Sequence, residues 1–184
     1  MYVFYDQIHV ATAEASVSEL LLGIACLLFA AVMLFRPFAM EARTDALAVV
    51  ICGLCKTYYW FFEFSVQSSD LKLLLGSIVV FVATLLWVVS VFWLGRSFSI
   101  LPALREIRTT GPYRFVRHPI YFSYVLLDVG LLLSYPALFN FVVVGFAIGL
   151  YMVRINMEES LLGRVESYNE YRRRTRFRLI PFIY

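Results

Sequence analysis

The chain is poor in charge. Of its 184 residues only 16% are Asp, Glu, Lys or Arg, and just two are lysines, Lys56 and Lys72. Hydrophobic residues make up 61%, and the mean hydropathy is +0.78. A soluble domain of this length could not hide that much apolar surface, so lipid is the expected solvent for most of it. Histidine and cysteine are also scarce: His9, His118, Cys26, Cys52 and Cys55 are the full set. The "CGLC" pair, Cys52 and Cys55, would need two more ligands to hold a metal, and both histidines lie far away in sequence. No metal site is expected, and the two thiols read as small packing residues of a buried helix. The first residues carry Asp6, Glu14 and Glu19 without lysine or arginine, so no signal peptide is expected. Length allows one membrane domain (1–184), without a separate soluble catalytic module and with no nucleic-acid partner in view.

Apolar runs fall at about 17–35, 46–66, 71–94, 119–134 and 136–153. The first three are long enough to cross a bilayer core of roughly 30 Å at about 1.5 Å per residue. The last two are shorter and separated by Tyr135 and Pro136, which predicts a tight helical hairpin with Pro119 and Pro136 near the first turns. Gly145 and Gly149 in "GFAIG" have the spacing that lets membrane helices approach closely. The expected fold is all-α and integral to the membrane, with about five transmembrane helices and the N-terminus outside. Three helices occupy 1–94; a loop, the hairpin and a C-terminal helix occupy 95–184.

Arginine sets that orientation. With five spans and the N-terminus outside, Lys72 alone is basic on the outer side. The inner side holds Arg36 and Arg43, then Arg96, Arg105, Arg108, Arg114 and Arg117, then seven arginines from Arg154 to Arg178. The asymmetry satisfies the positive-inside rule. It puts loop 95–118 and tail 154–184 together on the cytoplasmic face. In the tail, Leu161, Val165 and Tyr168 recur at helical spacing, which predicts that the fifth span continues as a helix or bends along the interface. "RRRTRFR" also suits an electrostatic anchor to anionic lipid.

Three ionisable groups, Lys56, Glu63 and Asp128, fall within the expected spans. Such groups are costly in lipid and face a protein interior or a wet cavity. Lys56 and Glu63 are seven apart, about 10 Å along one helix face; pairing with neighbouring helices, a substrate pocket or snorkelling would each account for them. Asp128 needs a partner that the sequence does not identify.

The stretch "GPYRFVRHPIY", 111 to 121, is the chemical anomaly. Pro112 and Pro119 restrict the backbone to a rigid, non-helical approach to the fourth span, and Gly111 permits a turn. Arg114 and Arg117 can bind a carboxylate or phosphate, and Tyr113 and Tyr121 offer faces to a planar ring or a cation. Beyond the hairpin, Glu158 and Glu159 return carboxylates to the same face. An anion, a cation and a flat aromatic group on one ligand would suit this set, as in S-adenosylmethionine. A nucleotide such as NADPH matches the arginines and tyrosines but gains little from paired glutamates. A plain topology-fixing basic loop is the alternative without chemistry.

"GPYRFVRHPIYFSY", then "EESLL", then "YNEYRRRTRFRLIPFIY" resembles the isoprenylcysteine carboxyl methyltransferase family and its bacterial relatives, as does the upstream "LGRSFSILPALREIRTTGPYR". The resemblance covers roughly 90 to 184, in order, with a short hairpin between its halves. It implies transfer of a methyl group from S-adenosylmethionine to a lipophilic acceptor that enters from the bilayer. The cofactor pocket would be formed by Gly111, Tyr113, Arg117, His118, Pro119, Tyr121, Glu158 and Glu159. Arg117 would lie near the methionine carboxylate, and Arg173 or Arg174 near the acceptor. His118 or Glu159 would serve as base if the acceptor is an amine or thiol; a carboxylate acceptor needs none. Thr175-Arg176-Phe177 stands where many relatives have a valine-proline pair. Sterol-type reductases that use NADPH share part of the C-terminal pattern, and a lipid-binding membrane protein without catalysis is the second rival.

Overall fold

The computed structural model describes residues 44–66, 68–97 and 107–180, without the side chains of Lys56 and Arg96, together with the strand residues 41–42 and 103–104. The expected first span, the side chain of Lys56, most of 98–106 and the last four residues lie outside the described residues. Five α-helices are described: α1 (Ala46–Thr57), α2 (Asp70–Leu94), α3 (Pro119–Ser134), α4 (Leu138–Leu162) and α5 (Glu166–Arg174). Short 3-10 turns occupy Tyr58–Phe61, Gly95–Ser97 and Gly111–Arg114. A two-residue antiparallel pair joins β1 (Glu41–Ala42) to β2 (Ala103–Leu104).

α2 and α4 have 25 residues each and are long and apolar enough to cross a membrane; α1 and α3 are shorter apolar helices. Along α2, Leu71, Leu74, Ile78, Phe81, Leu85, Val89 and Phe92 expose a continuous apolar stripe. Such a stripe is far larger than a monomer in water leaves bare, and it fits a lipid-facing surface. The inner face of α4, with Val144, Ala147, Tyr151 and Ile155, forms one core with Ala48, Ile51 and Cys55 of α1. Cys52 and Cys55 are both buried.

Helix α3 occupies the expected fourth span, and α2 the third with Asp70 in its first turn, where a carboxylate favours the helix dipole. The run 46–66 behaves differently. Its α-helix stops at Thr57, a 3-10 turn of four aromatic residues follows, and Phe62 is extended. Beyond that turn the chain is held by Asn140, fully buried at the start of α4. Its side-chain oxygen accepts from the Glu63 N–H at 2.8 Å, and its amide donates to the Glu63 carbonyl at 2.8 Å and the Tyr135 carbonyl at 2.9 Å. With both main-chain groups of Glu63 taken, no helix can run through that position. The Glu63 side chain is exposed and accepts from Ser65.

Among the described residues the close helix contact is not at Gly145 and Gly149, around which an added Cβ would meet nothing within 4 Å. It is between α2 and α3, where a Cβ on Gly76 would lie 2.7 Å from the Gly130 carbonyl oxygen and one on Gly130 would lie 2.9 Å from that of Gly76. The two backbones touch there, which only glycine allows. Ser68 closes the same end, its N–H donating to the Ser134 carbonyl at 3.0 Å and its hydroxyl to that of Leu133 at 2.8 Å.

Gly130→Ala should therefore lower stability by about 1–3 kcal/mol through overpacking. Gly145→Ala, with open space around it, should be neutral or slightly stabilising. Thermal unfolding of both variants in one detergent checks the contrast; equal effects would displace the contact from Gly130.

Candidate functional site

The anomalous loop begins as a 3-10 turn, Gly111–Arg114, rather than the wholly non-helical stretch expected. Pro112 sits in its first positions, where a missing N–H is harmless. Gly111 has φ +61, and a Cβ there would fall 2.2 Å from the Trp93 indole nitrogen, so the end of α2 covers the turn. Pro119 then opens α3 at its first position.

The tail does not continue α4 as one helix. The chain turns at Gly163–Val165, Asn169 donates to the Gly163 carbonyl at 3.1 Å, and α5 starts afresh. Tyr168 and Tyr171, three apart on α5, are buried against Tyr113, Leu94, Ile107 and Leu162. The Tyr171 hydroxyl donates to the Tyr113 carbonyl at 2.6 Å. After α5, the N–H of Arg117 donates to the Phe177 carbonyl and that of His118 to the Arg178 carbonyl, each at 3.0 Å. Loop and tail thus meet at one end of the helices, as the shared face of their charges predicts.

Arg117 is at the centre of this meeting. Its Nε donates to Glu159 Oε1 at 2.9 Å, and its Nη1 donates to the carbonyls of Thr175 at 3.0 Å and Arg176 at 2.8 Å. Three of its five N–H donors are engaged this way, leaving the pair on Nη2. The departure from the family pattern at Thr175-Arg176-Phe177 leaves these contacts intact, because they are made by main-chain carbonyls.

The two carboxylates at the end of α4 gather the other groups. His118 places Nε2 3.1 Å from Glu159 Oε1 and Nδ1 3.8 Å from Glu158 Oε2. Tyr121 donates its hydroxyl to Glu158 Oε1. Two arginines that sequence reasoning treated only as topology signals belong here as well. Buried Arg154 reaches Glu158 Oε1 at 3.4 Å and lies 5.6 Å over the Tyr121 ring; Arg178 reaches Glu159 Oε2 at 3.2 Å. The spacing of four between Arg154 and Glu158 was a readable signal. Arg178 has no such spacing; only the returning tail brings it to Glu159.

Gly111, Tyr113, Arg117, His118, Pro119, Tyr121, Glu158 and Glu159 therefore fall in one connected region. Arg173 and Arg174 do not join it: both are exposed on α5, Arg173 lying 3.8 Å from Glu166. Arg114 is exposed, its guanidinium 5.2 Å from the Phe115 ring.

The apolar run of α4 ends at Val153, so Glu158 and Glu159 lie beyond it. Burial works to raise the Glu159 carboxyl, but hydrogen bonds and charge from His118 and Arg117 outweigh it and hold the group down at about 2. Burial pushes the phenols of Tyr113, Tyr168 and Tyr171 up, so all three are neutral donors. Among the described residues, two carboxylates thus face three guanidinium groups.

A depressed carboxyl stabilises the fold above its ordinary value of 4.5, and the contribution is lost as pH falls through about 2. The gap in unfolding midpoint between the parent and Glu159→Gln should be full above pH 4.5 and close towards 2; a gap constant with pH would remove Glu159 from this role. Arg117→Ala removes one of the donors to buried Glu159 and both ties to the Thr175 and Arg176 carbonyls, and should cost about 2–3 kcal/mol, seen as faster proteolysis after α5.

The sequence model of one known family, described as the isoprenylcysteine carboxyl methyltransferase family, matches residues 74–164. No curated protein matches the chain. The matched segment holds most of α2, the turn at Gly111, α3 and α4 with both carboxylates. Through it the chain belongs to the isoprenylcysteine carboxyl methyltransferase family, a family of methyltransferases.

Proposed function

We propose that the chain transfers a methyl group from S-adenosylmethionine to a lipophilic acceptor, at a site facing the cytoplasm. The observation that carries the reading is the cluster of Glu158, Glu159, His118, Arg117, Arg154 and Arg178, set where an apolar hairpin meets polar loop and tail. Its donor set fits the cofactor. Carboxylates suit an ammonium group or ribose hydroxyls, and guanidinium groups suit a carboxylate. The buried Tyr168 hydroxyl lies close enough to Glu159 to feel its charge.

When bound, the cofactor supplies an electrophilic methyl group on a sulfonium. The chain's part is alignment and exclusion of water. Glu158, oriented by Tyr121 and Arg154, and Glu159, oriented by Arg117 and His118, hold the cationic and hydroxyl groups. Arg117 acts mainly as a positioning residue, because its donors are committed to Glu159 and the tail. The acceptor role expected of Arg173 or Arg174 passes in this proposal to Arg178, the tail arginine that reaches Glu159. A carboxylate acceptor, such as that of an isoprenylcysteine, arrives ionised and needs orientation only. An amine or thiol acceptor needs a base, and His118 is placed for it. The lipophilic acceptor enters sideways from the bilayer and the cofactor from the aqueous side.

Titration of the purified chain in detergent should show saturable binding of S-adenosylhomocysteine and none of NADPH. Glu158→Gln and Glu159→Gln should each weaken it roughly ten-fold or more, the loss of a charged hydrogen bond. Arg173→Ala and Arg174→Ala should leave it unchanged. Binding of NADPH alone would move the chain to the reductases. Silence from both ligands would leave a lipid-binding membrane protein.

A further inference from the structure

Asp128 is fully buried in the middle of α3, and its carboxyl group meets two phenols. Tyr58 donates to Oδ1 at 2.6 Å, and the Tyr151 hydroxyl lies 3.1 Å from Oδ2. The two hydroxyls also meet each other at 2.8 Å. Three oxygen-to-oxygen contacts therefore close a ring. Tyr58 and Tyr151 are also almost fully buried, at 2% and 1% exposure.

Counting protons decides the charge. Each phenol brings one proton, so an ionised carboxylate would leave two protons for three contacts. The single proton of Tyr151 would have to serve both Asp128 and Tyr58. A neutral acid supplies the third: Tyr58 donates to Asp128 Oδ1, Tyr151 donates to Tyr58, and Asp128 Oδ2–H donates to Tyr151. Every member then donates once and accepts once. The surroundings favour the same state. Tyr59 packs on the Tyr58 ring at 4.0 Å between centroids, and Tyr124 lies 5.7 Å from the Tyr151 ring. Among the described residues the partners of Asp128 are these phenols rather than a cation, and a lone carboxylate is costly to bury.

The ring also has a place in the helix register. Positions 121 and 128 on α3 are seven apart, as are 158 and 151 on the antiparallel α4. The Asp128–Tyr151 contact thus lies in the same register as Tyr121–Glu158, about 10 Å deeper in the bilayer. We infer that Asp128 is a neutral acid closing a three-member hydrogen-bond ring with Tyr58 and Tyr151, and that this ring is a positioning device holding Tyr121 opposite Glu158.

The first half is tested on the full chain reconstituted in lipid at neutral pH, with its aspartates labelled at the carboxyl carbon. The expected infrared spectrum contains a protonated-carboxyl stretch that shifts with the label and disappears in Asp128→Asn. Only carboxylate bands from aspartate would overturn the proposal. Asparagine can both donate and accept in the ring, so Asp128→Asn should unfold close to the parent temperature, while Asp128→Ala and Tyr58→Phe unfold earlier. An Asn variant as unstable as the Ala variant would equally overturn it. The positioning half rests on the proposed cofactor site. Tyr58→Phe should weaken S-adenosylhomocysteine binding several-fold while Asp128→Asn retains it; equal affinity in all three would reduce the ring to a structural lock. If the parent does not bind this ligand, the function proposal fails, whereas the infrared band still decides the ring.

Discussion

The organising interaction is the ion pair of Arg117 with Glu159. Both side chains are more than nine-tenths buried, and the guanidinium is shared with the carbonyls of Thr175 and Arg176. One side chain therefore ties together three separate stretches: the loop before α3, the end of α4 and the segment after α5. A lysine could not do this, since the task needs a planar fork with donors in several directions. The pair is also self-supporting. His118 and Arg178 donate to the same carboxylate, so its negative charge is kept by several donors rather than by a single partner.

A different rule governs the helix interior. Polar groups occur there in small closed sets, each satisfied internally. Asn140 takes both main-chain groups of Glu63 and the carbonyl of Tyr135, and Asp128 meets two phenols. In hydrocarbon an unmet donor has no water to fall back on, so a set that closes is stable and one that stays open is costly. These sets hold the hairpin and α1 together where lipid provides no hydrophobic drive between helices. The glycine contact of α2 with α3 does the same by van der Waals packing alone.

The methyltransferase reading joins these two regimes. A greasy acceptor and a charged, water-soluble cofactor have to meet without either leaving its own phase. The end of α4 is suited to that meeting. Within nine residues it passes from Tyr151, set in the apolar core, to Glu158 and Glu159 among arginines. Tyr121 bridges the two by setting its ring among Tyr124 and Tyr151 and its hydroxyl on Glu158.

The sequence by itself determined the helices of the second half, the meeting of basic loop with basic tail, and the membership of Arg117, His118, Tyr121, Glu158 and Glu159 in one region. Hydrophobic run length, proline position and charge asymmetry are local quantities, so a linear reading reaches them. The Arg154–Glu158 spacing of four is local in the same sense. Tertiary structure alone decided the rest. The helix expected through 66 stops at Thr57, and Asn140, seventy-seven positions beyond Glu63, holds the backbone of the segment that follows. The glycines that matter are Gly76 and Gly130 rather than Gly145 and Gly149, because close approach depends on which faces meet. Arg178 reaches the site and Arg173 does not, because the chain turns back after α5. Asp128 gains its partners only when α3, α4 and the turn after α1 pack. In each case the deciding contact joins residues far apart in sequence, and no local pattern encodes which of many possible partners a buried polar group will meet.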